Sequence, residues 1–245
     1  MTSRVFANAP LVPGEVIELD PQESHYLVRV RRVRPGAAVE VFDGHVGGCS
    51  GTLLDASVGA CRVRLEAALA FPDVPAIELG VALIDPKAAL DVVARACEGG
   101  AVALTWLQTA RSFNAAPSAA RLERVLRAAQ RQCGRPTPPR ILGPVTLADW
   151  LAEATDRPTW FAAEHERLDP AAQATESKDA SRGARLLIGP EGGWTSEESR
   201  RFHTSGVRPL SLGPWILRTE VAVTAGLARL WNREGGLIQA PRHAR

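Results

Sequence analysis

Residues 186–194 read LLIGPEGGW, and residues 211–220 read SLGPWILRTE. Each is an apolar run that ends in Gly-Pro and leads towards a helix. After the first, Thr195-Ser196-Glu197-Glu198 has the pattern of a capping box, in which a Thr side chain and a Glu side chain satisfy each other's backbone N–H groups. After the second comes VAVTAGLARLW, a helical stretch at 221–231. Strand, glycine turn and helix in succession form the repeating unit of a parallel α/β sheet.

The same alternation extends upstream. IELGVALI at 77–84 and VALTWLQ at 102–108 read as strands, with a helix from about 87 to 98 between them. TWFAAE at 159–164 and VRPLSL at 207–212 complete the set of apolar strands. A helix over 119–133 puts Leu122, Val125, Leu126 and Ala129 on one face and Arg124, Arg127 and Arg131 on the opposite one. Residues 165–182 are polar and aperiodic and are expected to form a loop.

The first 72 residues have another rhythm. VEVFDG at 39–44 ends in an Asp-Gly turn signal, GTLLDAS follows, and CRVRLEAAL at 61–69 alternates polar and apolar. Short strands separated by Gly and Pro predict a small β-barrel. FPDVP at 71–75 is the joint, which predicts domains at 1–72 and 76–238 and a disordered tail at 239–245.

With 245 residues, 45% of them apolar and 23% charged, the chain is able to build a real core. No apolar run approaches the roughly 18 residues of a membrane span. The opening MTSRVFANAPLVPGEV has no export signal, so a cytoplasmic location is expected. Cys49, Cys61, Cys97 and Cys133 form no CxxC pair and have no His at ligand spacing, so neither a metal nor a disulfide framework is expected. Residues 111–140 hold seven arginines against a single acid, Glu123, which suits a polyanion.

Glycines at a strand-to-helix turn let backbone groups approach a ligand closely, although such glycines also occur in plain turns. The first loop is neither GxxxxGK[ST] nor GxGxxG, which disfavours a phosphate loop and a dinucleotide site. The second loop places Ile216 and Leu217 beside Gly213, a surface suited to a flat heterocycle. Its plainer reading is a buried loop with Thr219 as helix cap and Glu220 in the first turn, and that reading leaves Arg218 unexplained.

The pair LLIGPEGG…SEE and LG-x-x-ILR-x-E-x-A resembles the bacterial 16S rRNA (uracil-N3)-methyltransferase family. HYLVRVRRVRPGAAVEVFDG at 25–44, ARACEGGA at 94–101, ARSF at 110–113 and RQCGR at 131–135 carry the likeness across most of the chain. The resemblance implies a PUA-like β-barrel followed by a knotted SPOUT-type α/β methyltransferase domain. It also implies S-adenosyl-L-methionine as cofactor, small-subunit 16S rRNA as partner, and a homodimer whose sites are completed by the second subunit. Departures stand at Trp215 (usually Arg), Val221 (usually Thr), Arg95, Cys97 and Gly99 (usually Lys, Thr and Leu), and Arg131, which replaces an acid.

By this resemblance Leu187, Ile188, Gly189, Pro190, Glu191 and Gly193 from the first loop hold the cofactor, together with Leu212, Gly213, Ile216, Leu217 and Thr219 from the second. Methyl transfer to uracil N3 spreads negative charge onto the flanking carbonyls, so cations or N–H donors are needed near those oxygens. Arg218 is the candidate for that role, with Glu220 either accepting the proton or orienting Arg218. Arg111 and Arg135 are candidates for positioning the substrate, and Arg31, Arg32, Arg34, Arg124, Arg127 and Arg131 for binding RNA phosphates. Two alternatives stay open: a related knotted enzyme acting on tRNA, and an RNA-binding ribosome-assembly factor without activity.

Overall fold

The computed structural model describes residues 2–44, 47–72, 74–163 and 183–233. The loop expected at 165–182 and the tail expected at 239–245 lie outside the described residues. The described chain divides into one unit of residues 2–72 with 130–138, and a second of 74–129 with 139–233.

The first unit holds β1 (Ser3–Phe6), β2 (Val16–Glu18), β3 (Ala38–Phe42), β4 (Gly48–Leu53) and β5 (Arg62–Ala68) in the order β1-β3-β4-β5-β2. β1 runs parallel to β3, and the other pairs are antiparallel. The expected strands are β3 to β5. The two edge strands are shorter, and their period was too brief to read. The polar–apolar alternation buries one face, and Val5, Val39, Val41, Leu53, Val63 and Leu65 meet there in one core. A short helix, α1 (Pro21–His25), opens on Asp20, whose carboxylate accepts from the Glu23 N–H at 2.8 Å. It runs into a π-turn (Tyr26–Val30) that supplies Leu27 to the same core.

This unit corrects one sequence expectation. Arg131 does not lie on a solvated helix face. Its guanidinium pairs with Glu23, which is fully buried, and lies 4.3 Å from the Tyr26 ring centroid and 5.3 Å from that of Phe6. Glu23 also accepts from the Phe6 N–H at 3.2 Å. A buried carboxylate needs a counter-charge, and the helical wheel carries no information about a partner so far away in sequence.

The second unit is built on six parallel strands in the order β11-β9-β10-β6-β7-β8. They are β6 (Ile77–Ala82), β7 (Ala103–Gln108), β8 (Arg140–Thr146), β9 (Thr159–Ala163), β10 (Ala184–Ile188) and β11 (Arg208–Ser211). The helices are α2 (Pro86–Glu98), α3 (Ala119–Cys133), α4 (Leu147–Ala152), α5 (Ser196–Thr204) and α6 (Thr219–Arg233). Central parallel strands covered on both faces read as continuous apolar runs, as β6 does after Glu78 and β10 after Arg185. Leu79, Leu186 and Ile188 meet Val92, Val93, Val223 and Leu227 of α2 and α6 on one face. Leu107, Phe161 and Leu187 meet Trp150 and Phe202 of α4 and α5 on the other. Leu122, Val125 and Leu126 of α3 pack on the first of these cores, as their period implied. β8 was not anticipated, since it is an edge strand interrupted by Pro144, a residue tolerated only at an edge or bulge.

One glycine sets the position of α6. A Cβ on Gly226 would lie 2.5 Å from Leu186 Cδ2, so the helix approaches β10 closely only because this side chain is absent. That approach brings the start of α6 beside the end of β10.

Candidate active site at the strand ends

The C-terminal ends of β9, β10 and β11 and the start of α6 enclose a cavity of about 210 Å³. Ligand sites of open parallel sheets form at such carboxyl ends, where loops diverge from the strands. Ile188, Gly189, Pro190 and Glu191 of the first glycine loop line it. So do Leu212, Gly213, Ile216, Leu217, Arg218 and Thr219 of the second. The two stretches singled out in the sequence therefore form one wall each of a single cavity.

Two of the proposed cofactor residues lie elsewhere. Leu187 alternates to the opposite face of β10 and is fully buried against Trp150 and Phe202. Gly193 is off the lining and makes the turn instead, with φ of +66° and its N–H donating to the Pro190 carbonyl at 2.9 Å. Sequence reading missed Ala162 and Ala163 at the end of β9, and Ala222 in the first turn of α6. Small apolar residues carry no chemical signal; the position of β9 beside β10 is what would have pointed to them.

The glycines of the wall serve different ends. A Cβ on Gly189 would lie 3.1 Å from the Trp194 ring, so the space left there is taken by an indole that itself packs edge-on against Phe202. Gly213 has φ of +127° and nothing within 4 Å of where its Cβ would stand. It is Gly213 that gives open backbone to the cavity.

Thr219 is 5% exposed, and its hydroxyl donates to the Gly189 carbonyl at 3.4 Å. Instead of capping its own helix it joins the two loops. Arg218 is exposed at the cavity and, among the described residues, its side chain makes no hydrogen bond or ion pair. Among the described residues no hydrogen bond or ion pair joins Glu220 to Arg218, so an orienting role for Glu220 has no such bond behind it. Trp215 and Ile216 stand 79% and 66% exposed beside Arg218, with Val221 at 46%.

The remaining arginines fall into several settings. Arg124 is exposed with no side-chain partner among the described residues, and Arg127 pairs with Glu123 at 3.2 Å. In the first unit Arg31, Arg32 and Arg34 are exposed, with Arg32 at φ of +54°, and Arg135 is half-buried. Arg111 reaches the first glycine loop. Among the described residues, no group of His, Cys, Asp or Glu is placed to hold a metal ion, and no helix is long and apolar enough to cross a membrane.

The sequence profile of the RNA methyltransferase domain matches residues 72–231, and that of the RNA methyltransferase PUA domain matches residues 19–66. The chain belongs to the RNA methyltransferase family. Among relatives in this RNA methyltransferase family, ribosomal RNA small subunit methyltransferase E of Synechocystis is 29% identical over 90% of this chain and 75% of its own length. The protein of the same name from Aquifex aeolicus is 26% identical over 83% and 89%. A Legionella pneumophila structure holding the cofactor SAM has 25% identity and a TM-score of 0.81, covering 95% of this chain and 98% of its own. The Neisseria gonorrhoeae small-subunit methyltransferase E, bound to S-adenosyl methionine, shares the fold at 22% identity and a TM-score of 0.82, over 95% and 98%. The all-parallel sheet with a small β-domain is thus the architecture of RNA methyltransferases, as the sequence implied.

Proposed function

We propose that this RNA methyltransferase uses S-adenosyl-L-methionine to methylate N3 of a uridine in the 16S rRNA of the small ribosomal subunit, in the cytoplasm and as a homodimer. The observation that carries this reading is the cavity formed jointly by the two glycine loops, with Arg218 at its rim. The family relatives that act on small-subunit rRNA, and the neighbour solved with the cofactor, support it.

The cavity suits the cofactor on its own terms. Ile188, Leu212, Leu217 and Ala222 offer apolar contact for a flat base, while the open backbone at Gly213 offers edge groups to read it. When bound, the cofactor supplies an electrophilic methyl group. The protein's part is alignment and charge. Uracil N3 must give up its proton, and the charge that develops is shared with the neighbouring carbonyl oxygens. The guanidinium of Arg218, without a side-chain partner among the described residues, stabilises that charge in a partly enclosed site. Glu220, two residues further on, is the candidate for accepting the proton. N3 lies on the base-pairing edge, so the target is bound unpaired or flipped.

The strand order supports a knotted path, because β10 lies between β9 and β6 although the chain has already passed both. Trp215 and Ile216 line the cavity yet stay largely exposed, which supports completion of the site by a second subunit. Sedimentation should then give twice 26.2 kDa. The test of function is mass spectrometry of small-subunit rRNA from cells lacking the protein and cells regaining it. Loss and return of one N3-methyluridine is the expected result; unchanged rRNA, or a change in tRNA instead, overturns the assignment.

A further inference from the structure

We propose that Arg111 is a positioning residue for the cofactor loop, and that Glu198 ties the loop carrying Arg111 to the start of α5. The inference rests on the cofactor reading above and assigns the two residues a role in it. The turn at 189–193 is Gly-Pro-Glu-Gly-Gly, a sequence with three glycines and hence a large conformational entropy when unrestrained. One bond closes the turn from within, the Gly193 N–H to the Pro190 carbonyl at 2.9 Å; holding the turn as a wall of the cavity takes further bonds from outside it.

The structure supplies two external tethers. Thr219 of α6 holds the Gly189 carbonyl. Arg111, in the loop after β7, donates from Nη1 to the Gly192 carbonyl at 2.6 Å. Its stem also covers the bare Cα of Gly192, since a Cβ there would lie 3.3 Å from Arg111 Cδ and 3.5 Å from its Cβ. The loop carrying Arg111 is itself fastened to the start of α5. Glu198 accepts from the Ala110 N–H at 3.0 Å through Oε1, and through Oε2 from the Thr195 N–H at 2.8 Å. One carboxylate thus closes the capping box and anchors the neighbouring loop. The Phe113 N–H, donating to the Leu83 carbonyl at 2.9 Å, pins the far side of that loop to the end of β6. Arg111 therefore comes from a fixed platform and fixes the carbonyl of a flexible turn.

This differs from a role in gripping RNA, and the two roles separate experimentally. A phosphate ligand, when removed, lowers RNA affinity and flattens its salt dependence, with cofactor affinity unchanged. A loop clamp, when removed, lowers cofactor affinity and leaves the salt slope alone. Arg111→Met keeps the stem over Gly192 and deletes the donor; Arg111→Lys restores a donor on a shorter reach.

Titration of the wild-type, Arg111→Met and Arg111→Lys proteins with S-adenosyl-L-methionine by calorimetry tests the assignment, with RNA binding measured across salt in parallel. The expected result for Arg111→Met is about tenfold weaker cofactor binding, the scale of one charge-assisted hydrogen bond. Its Tm should stay near wild type and its RNA salt slope should not change, and Arg111→Lys should recover part of the loss. Wild-type cofactor affinity in Arg111→Met overturns the clamp, as does a reduced RNA salt slope at unchanged cofactor affinity. If Arg111→Met unfolds, Arg111→Lys alone decides: it must bind the cofactor more weakly than wild type at equal Tm, and equal affinity overturns the clamp. Failure of the wild-type protein to bind the cofactor instead overturns the functional reading itself.

Discussion

The Thr219 hydroxyl donates to the Gly189 carbonyl at 3.4 Å, and through this bond the first turn of α6 holds the end of β10. Two loops separated by a helix and a strand in sequence thereby become the two walls of one cavity. Thr219→Val keeps the shape of the side chain and deletes the donor. A neutral hydrogen bond contributes about 1 kcal/mol, so cofactor binding should weaken about fivefold. Thr219→Ser should bind as wild type does. Calorimetry on both variants is the check, and an unaffected Thr219→Val would show that the bond does not matter to the site.

Arg218 has no side-chain partner among the described residues, so its removal should cost little stability. Arg218→Ala should bind cofactor normally while turnover falls about 10²–10³-fold, as for loss of one donor to a developing oxyanion. Single-turnover kinetics with small-subunit RNA measure this. Full turnover in Arg218→Ala would remove Arg218 from the chemistry.

Arg131 and Arg124 share a helix but should fail in different ways. Arg131→Ala strands the buried Glu23 carboxylate and should cost about 3–5 kcal/mol of stability, read as a large drop in Tm. Arg124→Ala should leave Tm unchanged and lower the log–log salt slope of RNA binding by about one unit. A stable Arg131→Ala would mean that the buried pair is not holding the first unit together.

The cysteines should react in an order set by burial. Burial pushes the Cys49 and Cys61 thiols above their usual range, with Asp43 and Asp55 respectively adding to the effect. Cys97 is buried as well, whereas Cys133 is exposed. A thiol reagent at neutral pH should therefore modify Cys133 first in the native protein and reach the other three only on unfolding. Peptide mapping after partial labelling decides the order; early modification of Cys61 would contradict it.

Much of the second unit was legible because its signals are local. A parallel strand buried on both faces announces itself as an unbroken apolar run, and the capping box at Thr195 and Glu198 is formed between residues three apart. The two Gly-Pro loops were legible as a pair for the same reason, and the period of α3 correctly placed Leu122, Val125 and Leu126 against the core. Edge strands β1, β2 and β8 were not, since four and three residues are too few to show a period and β8 is mostly exposed and broken by Pro144.

Tertiary structure alone decided which of these residues do what. Leu187 and Ile188 are neighbours of the same chemical type, yet strand alternation sends one into the core below the sheet and the other to the cavity. Arg131 and Arg124 look alike on a helical wheel, and only the distant Glu23 makes the first a structural cation. Arg111 reads as one more arginine in a basic stretch until folding brings it to Gly192, 81 positions along the chain. Periodicity reports which way a side chain points from its own backbone; what it meets there depends on segments brought together by the fold, and no local pattern encodes that.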